Sequence, residues 1–179
     1  MISIRIADLE VVPTQAVFRA VRWDLQPLTP GGRRVGLGAG EAILERLEQM
    51  GDFPIGGAVV TPAGDLDADF IIHLVIESLD EPVTEAGVRK ALTNGLRQAC
   101  AWGVESVAIP ALGTGAGCLD AETSARVILS VLKSFVDSGE SLREATVVVT
   151  NEYEKAAFEG AVELDGRQGA EGAGADSGT

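Results

Sequence analysis

Glycines at alternate positions of segment 110–120 are the clearest sign of chemistry in this sequence. The segment reads Pro-Ala-Leu-Gly-Thr-Gly-Ala-Gly-Cys-Leu-Asp, with Gly113, Gly115 and Gly117 at every second position. It follows an apolar, strand-like stretch and leads into an amphipathic, helix-like one, and ligands of open α/β sheets bind at such strand-to-helix edges. Glycines allow a tight turn whose successive N–H groups point into one concavity, which suits a phosphate. The segment predicts an anion site, although a tight turn without a ligand uses glycine in the same way.

A second glycine-rich segment, 31–40, reads Gly-Gly-Arg-Arg-Val-Gly-Leu-Gly-Ala-Gly and precedes a helix predicted to begin near Glu41. If both loops open on one sheet edge, a pyrophosphate between them would accept N–H bonds from each. Neither loop has the G-x-x-x-x-G-K-[ST] pattern, and no lysine lies near them, which excludes a P-loop NTPase. Glu41 stands where a dinucleotide fingerprint needs its third glycine, so a Rossmann fold is disfavoured.

Alternating strand-like and helix-like hydrophobic periods predict the elements that must position these loops. Strands are expected near residues 2–7, 16–22, 57–61, 69–76, 105–110 and 145–150, and helices near 41–50, 83–101, 120–136 and 152–161. The stretches 105–110 and 145–150 are nearly continuous apolar runs, typical of parallel strands that are buried on both faces. The prediction is an α/β fold with three α/β/α layers and a mixed, mostly parallel sheet of about six strands.

Length and composition favour one domain. The chain has 179 residues, of which 46% are hydrophobic, enough to enclose a sizeable core. We expect the folded domain to span residues 1–163. Residues 164–179 are rich in Gly and Ala and are expected to be disordered. The two cysteines, Cys100 and Cys118, imply no disulfide framework and favour a cytoplasmic protein.

The net charge of −13 disfavours a nucleic-acid partner, because binding a phosphate backbone needs clustered Lys and Arg. It does not exclude a small anion, which backbone N–H groups can bind without basic side chains. The apolar runs are shorter than the roughly 20 residues of a membrane span, so no membrane association is expected. His73, the only histidine, lies in a hydrophobic strand and is expected to be structural. No metal site or cofactor is predicted, and the sequence does not indicate the oligomeric state.

Three stretches, 55–66, 70–75 and 109–115, resemble the macro domain family in order and spacing, and the likeness extends from about Ile4 to about Val162. The resemblance implies a mixed six-stranded sheet between helical layers, with a cleft for ADP-ribose across its edge. It also implies that the Asp8 carboxylate accepts a hydrogen bond from the adenine amino group, since a carboxylate offers only acceptors. An exposed turn aspartate is the alternative. The full set of ligand-binding residues carried over is Asp8, Leu9, Arg22, Gly38, Ala39, Gly40, Leu112, Gly113, Thr114, Gly115, Ala116, Gly117 and Asn151.

The sequence departs from the family pattern at positions that concern catalysis and adenine binding. Where the family usually reads Asn-Ala-Ala-Asn, residues 19–22 read Arg-Ala-Val-Arg. In members that hydrolyse ADP-ribosyl bonds, the last asparagine holds the distal ribose, and an arginine has no acceptor for a ribose hydroxyl. Asn151 stands where many members place an aromatic residue against adenine, and the neighbouring Tyr153 is a substitute candidate.

The function predicted from the residues and the resemblance is binding of ADP-ribose or a related nucleotide diphosphate, free or linked to a protein, without catalytic residues. An ADP-ribosyl hydrolase is the first alternative. A degenerate fold that acts through a protein partner is the second.

Overall fold

The computed structural model describes residues 1–115 and 118–172. Its six strands form one sheet in the order β1-β6-β5-β2-β4-β3. Neighbouring strands are parallel except for β3 and β4, which are antiparallel. The strands are β1 (Ile2–Ile6), β2 (Ala16–Arg22), β3 (Ala58–Pro62), β4 (Phe70–Glu77), β5 (Ser106–Pro110) and β6 (Glu144–Val149). The predicted mixed, mostly parallel sheet is confirmed.

Helices cover both faces of this sheet. They are α1 (Pro30–Ala39), α2 (Glu41–Glu48), α3 (Glu85–Ala101), α4 (Ala121–Asp137) and α5 (Glu152–Gly172), and a short 3-10 turn spans Leu9–Val11. Helices α1, α3 and α4 begin at side-chain caps that the sequence encodes, in which the Thr29, Thr84 and Asp120 oxygens accept from the N–H three residues later. Such caps satisfy N–H groups that have no partner inside the helix.

The side chains of β2 point alternately to the two faces of the sheet, and the core has one layer on each face. Phe18 and Ala20 face a cluster that includes buried residues of α3 and α4. Val17 and Val21 face a second cluster with buried residues of α1 and α2. Side chains of successive strand residues point to opposite faces, so β2, whose apolar side chains point both ways, must be covered on both sides. This arrangement is the predicted α/β/α sandwich.

The parallel strands define two edges of the sheet. Ile6 pairs with Val149, and Pro110 pairs with Val148, so β1, β6 and β5 end side by side. We call this the carboxyl edge; the segments that follow β1, β2, β5 and β6 emerge there. The connection from β3 to β4, residues 63–69, lies at the opposite, amino edge. There the Asp69 and Phe70 N–H groups donate to the carbonyl of Gln15, just before β2.

Helix α5 differs from expectation at its end. It continues to Gly172, into the segment expected to be disordered, whereas residues 173–179 lie outside the described part of the chain. Segment 162–172 contains Val, Glu, Leu, Arg, Gln and Ala between its glycines, and most of these residues favour helix. Within the described ranges, none of the helices combines the length and apolar character needed to cross a membrane.

Candidate functional site

A glycine turn follows β5 at the carboxyl edge. Gly113 has φ 77° and Gly115 has φ 150°, values that side chains rarely tolerate. The turn closes on itself, because the Leu119 N–H donates to the Gly113 carbonyl and the Cys118 N–H to the Gly115 carbonyl. It leads directly to Asp120, the cap of α4. The predicted residues Ala116 and Gly117 lie outside the described residues.

The two described glycines of this turn face different surroundings. A Cβ on Gly113 would meet side-chain carbons of Leu119, Val83 and Val88, each at 3.1 Å, whereas a Cβ on Gly115 would meet nothing within 4 Å. Gly113 is therefore required by packing against the protein itself. Gly115 is exposed and open, so its backbone is accessible to a ligand.

The remaining predicted residues of this turn differ in accessibility. Leu112 is fully buried, and its carbonyl accepts from Ser124 Oγ at 2.7 Å. The Thr114 hydroxyl donates to the Ala111 carbonyl at 3.1 Å. Leu112 can therefore reach a ligand only through its backbone N–H, and Thr114 stabilises the turn.

Asp8 lies just after β1, at the same carboxyl edge as the glycine turn, and its carboxylate is largely exposed. Arg34 Nη2 of α1 approaches it at 3.5 Å, while Arg34 Nε donates to Glu10 Oε1 at 2.7 Å. The pair with Glu10 is the shorter of the two, so the Asp8 oxygens remain accessible to another donor. Leu9 is buried in the core, and only its backbone can contact a ligand.

Asn151 has a structural task that its sequence context explains. Its Oδ1 accepts from the Glu154 N–H at 2.9 Å, and its carbonyl accepts from the Lys155 N–H. Asn151 therefore caps α5. Glu154 Oε2 in turn accepts from the N–H and hydroxyl of Thr150. These capping hydrogen bonds give a structural reason for an asparagine at a position where the resemblance places an aromatic ring.

Tyr153 does not fill that aromatic slot. Its ring is exposed, and its hydroxyl donates to the Glu122 carboxylate at 3.1 and 3.2 Å. The hydrogen bond to Glu122 raises the pKa of Tyr153 above its ordinary value.

Most of the predicted first phosphate loop is helical in the structure. Gly38 and Ala39 form the last turn of α1, and Gly40 links α1 to α2. A Cβ on Gly38 would meet Leu66 Cδ2, and the Ala39 carbonyl accepts from the Asp65 N–H. Residues 65 and 66 belong to the connection at the amino edge. These three predicted residues therefore lie at the opposite edge from the glycine turn and cannot share a ligand with it.

The sequence contains a start signal for helix α1, but the glycines of this segment favour a loop. Thr29 caps the helix and Pro30 occupies its first turn, a favourable beginning. Gly32 and Gly36 pack closely on β2: a Cβ on Gly36 would lie 2.6 Å from Arg19 Nη1. These glycines allow close approach of the helix to the sheet.

Arg22 ends β2 at the carboxyl edge. Its Nη2 donates to Asp24 Oδ2 at 2.8 Å and its Nε to Asp24 Oδ1 at 3.2 Å, and its guanidinium lies 4.8 Å from the Trp23 ring centroid. Burial raises the pKa of Asp24, but the hydrogen bonds from Arg22 and from the Gln26 N–H and the charge of Arg22 together lower this pKa below its ordinary value. Arg22 is thus held in a fixed position, with part of its surface open.

Arg19 lies inside the core, which the sequence reading did not foresee. It is 1% exposed and aligned with His73 across β2 and β4. Arg19 Nε donates to His73 Nδ1 at 2.7 Å, Nη1 to the Gly32 carbonyl at 3.0 Å and Nη2 to the Leu25 carbonyl at 3.4 Å. His73 Nε2 lies 2.9 Å from Thr61 Oγ1. The prediction of a structural, hydrogen-bonded histidine is confirmed.

The positions of the protons on His73 and Arg19 follow from which atoms can donate hydrogen bonds. Nδ1 of His73 must accept from Arg19, which offers only N–H groups, so the proton is on Nε2 and is donated to Thr61. Burial, followed by the charge of Arg19, holds the pKa of His73 well below its ordinary value. Burial lowers the pKa of Arg19 to about 10, which leaves the guanidinium charged at neutral pH.

A cavity of about 710 Å³ opens between the end of β2, α1 and α2. Its charged lining residues are Arg19, Arg22, Arg33 and Glu48, and its apolar lining includes Leu25, Leu28, Leu37, Leu44 and Leu47. Asp8, Asn151 and the glycine turn do not line it. We call it the arginine cavity. Elsewhere, among residues 1–115 and 118–172, no cluster of three or more His, Cys, Asp or Glu side chains could hold a metal ion.

Known proteins share both sequence and fold with this chain. A model described as Macro domain matches residues 36–128. A macro domain-containing protein of Caldanaerobacter subterraneus is 30% identical over 135 residues, which cover 69% of this chain and 74% of the relative. A protein of Klebsiella pneumoniae named O-acetyl-ADP-ribose deacetylase is 32% identical over 131 residues, covering 67% of this chain and 72% of the relative.

A solved structure, the Trypanosoma brucei macrodomain in complex with ADP-ribose, superimposes with a TM-score of 0.81 at 18% identity. The match covers 90% of this chain and 68% of that one. At this identity the similarity demonstrates a common fold.

Proposed function

Because the chain belongs to the macro domain family, we propose that it binds ADP-ribose or a related nucleotide diphosphate at the carboxyl edge of its sheet. The ligand is either free or attached to a protein. The pyrophosphate lies against the backbone of the glycine turn, and the adenine amino group donates to Asp8. Leu9 and Leu112 contribute backbone N–H groups, and Asn151 lines the adenine end. Related proteins support this proposal, since a solved macrodomain is complexed with ADP-ribose.

The open backbone at Gly115 carries the proposal. Gly115 has a positive φ, is exposed and has open space where a Cβ would project. Packing does not demand glycine there, in contrast to Gly113. A ligand that approaches the backbone closely is one physical reason for a glycine at such a place. The adjoining N-terminus of α4 adds a favourable dipole for a negative group.

The site does not favour hydrolysis. Arg19, on β2, uses its guanidinium to bond to β4, α1 and the β2–α1 connection, and Arg22 is paired with Asp24. Neither side chain offers an acceptor that could orient a water molecule or a ribose hydroxyl. We therefore infer a binding function. The similarity to a protein named as a deacetylase makes O-acetyl-ADP-ribose hydrolysis the alternative to be tested.

Calorimetric titration tests the proposal and identifies the ligand part that matters. ADP-ribose and ADP are expected to bind, and ribose 5-phosphate to bind much more weakly because it lacks adenine and the second phosphate. Failure of both adenine nucleotides to bind would refute the proposal. Incubation with O-acetyl-ADP-ribose, followed by chromatography, is expected to leave the ester intact; its enzyme-dependent loss would establish the catalytic alternative.

A further inference from the structure

The arginine cavity combines three cations with an apolar wall in a protein that carries net charge −13. Arginine is scarce in this acidic chain relative to Asp and Glu, so the convergence of three guanidinium groups on one cavity is a notable local reversal of charge. A cavity of about 710 Å³ has the size of small-molecule sites, which are concave, largely apolar and furnished with a few polar groups.

Arg19 supplies a buried charge without an acidic partner. Its described hydrogen-bond acceptors are His73 and two backbone carbonyls, and all of them are neutral. Three of its five N–H groups are used in these bonds, leaving donor capacity. A charge removed from water is costly unless an opposite charge compensates it. An anion in the adjoining cavity would provide that compensation.

Arg33 provides an exposed donor in the cavity lining. It lies in the first turn of α1, and within the described residues no hydrogen bond or ion pair engages its guanidinium. Thr29 and Pro30, at the beginning of the same helix, also line the cavity. The partial positive charge of a helix N-terminus adds to that of the arginines.

Two carboxylates near the cavity would repel an anion. Their placement leaves the positive charge of the arginines dominant. Asp24 neutralises part of Arg22 through their paired contact. Glu48 lines the cavity from the last turn of α2 and is exposed, so water screens its charge. Arg19 and Arg33 remain uncompensated by side-chain carboxylates among the described residues.

We propose that the arginine cavity binds a small organic phosphate, with its phosphate group against Arg19, Arg22 and Arg33 and its apolar body against the leucines. Arginine suits this task because its planar fork matches phosphate oxygens and is weakly hydrated. This site goes beyond the proposed nucleotide site: of the described ligand-binding residues carried over from the resemblance, only Arg22 lines the cavity, and Asp8 and Gly115 do not.

Titration with phenyl phosphate, monitored by amide NMR, tests the proposal. Saturable shifts are expected for the amides of Thr29, Gly31, Gly32, Arg33 and Leu44. Arg33→Ala is expected to weaken binding by about tenfold, because it removes a charge-assisted contact. Arg46→Ala is the matched control: Arg46 is an exposed helical arginine on α2 that does not line the cavity. It removes the same charge and is expected to leave phenyl phosphate affinity unchanged.

Three results would overturn the proposal. The first is that amide shifts are confined to Gly113 and Gly115, and the second is that the shifts do not saturate at millimolar phenyl phosphate. The third is that both arginine variants weaken phenyl phosphate binding equally, which would indicate general attraction by surface charge. Phenol supplies the uncharged comparison. If phenol shifts the same amides with equal affinity, the cavity selects apolar molecules and not phosphates.

Discussion

The guanidinium of Arg19 donates through Nε to Nδ1 of His73, 2.7 Å away, across the centre of the sheet. This contact fixes the imidazole as the tautomer with a proton on Nε2, which donates to Thr61. The three residues thus form a polar line through β2, β4 and β3 inside an otherwise apolar layer. Their burial links the protonation of His73 to the stability of the fold.

Acidification is expected to destabilise the protein through His73. The unfolded histidine takes up a proton near its ordinary pKa of 6.5, whereas the folded one resists it because its pKa is lower. The unfolded state therefore binds more protons below this pH, and about 1.4 kcal/mol of stability is lost per pH unit.

Urea unfolding at about pH 7.5 and about pH 5.5 measures this loss. His73→Gln provides the control, since Gln can accept from Arg19 and donate to Thr61 but does not titrate. The variant is expected to lose less stability than the parent between these pH values. Equal losses would contradict the assignment.

Arg19 and His73 are expected to be energetically coupled. Arg19→Met leaves the Gly32 and Leu25 carbonyls and His73 Nδ1 without their donor, and about 2 to 4 kcal/mol of unfolding free energy should be lost. His73→Leu should also destabilise. The double variant loses the Arg19–His73 hydrogen bond only once. Its loss of unfolding free energy is therefore expected to be smaller than the sum of the losses in the two single variants. Additive costs in urea titrations would show that the contact contributes nothing.

The two described turn glycines are expected to respond differently to alanine. Gly113→Ala combines an unfavourable φ with three contacts at 3.1 Å, and a loss of about 2 kcal/mol is expected. Gly115→Ala meets open space, so only backbone strain of about 1 kcal/mol opposes it. Thermal unfolding of both variants measures the contrast. A larger loss for Gly115→Ala would mean that its surroundings are tighter than the structure indicates.

Gly38 is expected to be irrelevant to nucleotide binding. It lies in α1 against Leu66 at the amino edge, away from the glycine turn. Gly38→Ala should leave ADP-ribose affinity unchanged, and the Leu66 side chain should shift slightly to admit the methyl group. A calorimetric titration checks this. A substantial loss of affinity would instead support phosphate binding at Gly38, as the sequence predicted.

The sheet was predictable because each strand carries its own signal. Near-continuous apolar runs such as 145–150 can be satisfied only by burial on both faces, and this requirement determines the layers. The glycine turn was also predictable, since alternate glycines lie between a strand and a helix.

Helix α1 was not predictable in the same way. The glycines of α1 favour a loop locally, but contact with β2 and the cap at Thr29 stabilise a helix. The burial of Arg19 likewise depends on acceptors at Gly32, Leu25 and His73, which are distant in sequence or formed only by the fold. Such tertiary contacts override local propensity.

Asp8 is expected to contribute to adenine recognition. Asp8→Ala removes the acceptor for the amino group, and an affinity loss of about tenfold is expected. Asp67→Ala, an exposed aspartate at the amino edge, removes the same charge without touching the site. ADP-ribose titrations that show equal effects for both variants would assign the loss to overall charge.

The most direct measurement is calorimetric titration of ADP-ribose into Gly115→Glu and its control, Gly139→Glu. Gly139 is also exposed, has φ 75° and has open space around its Cβ position, but it follows α4 at the amino edge. Both variants add one negative charge. We predict that Gly115→Glu abolishes binding, because the new carboxylate repels the pyrophosphate, while Gly139→Glu binds like the parent protein. Undiminished binding to Gly115→Glu would contradict a nucleotide site at the glycine turn.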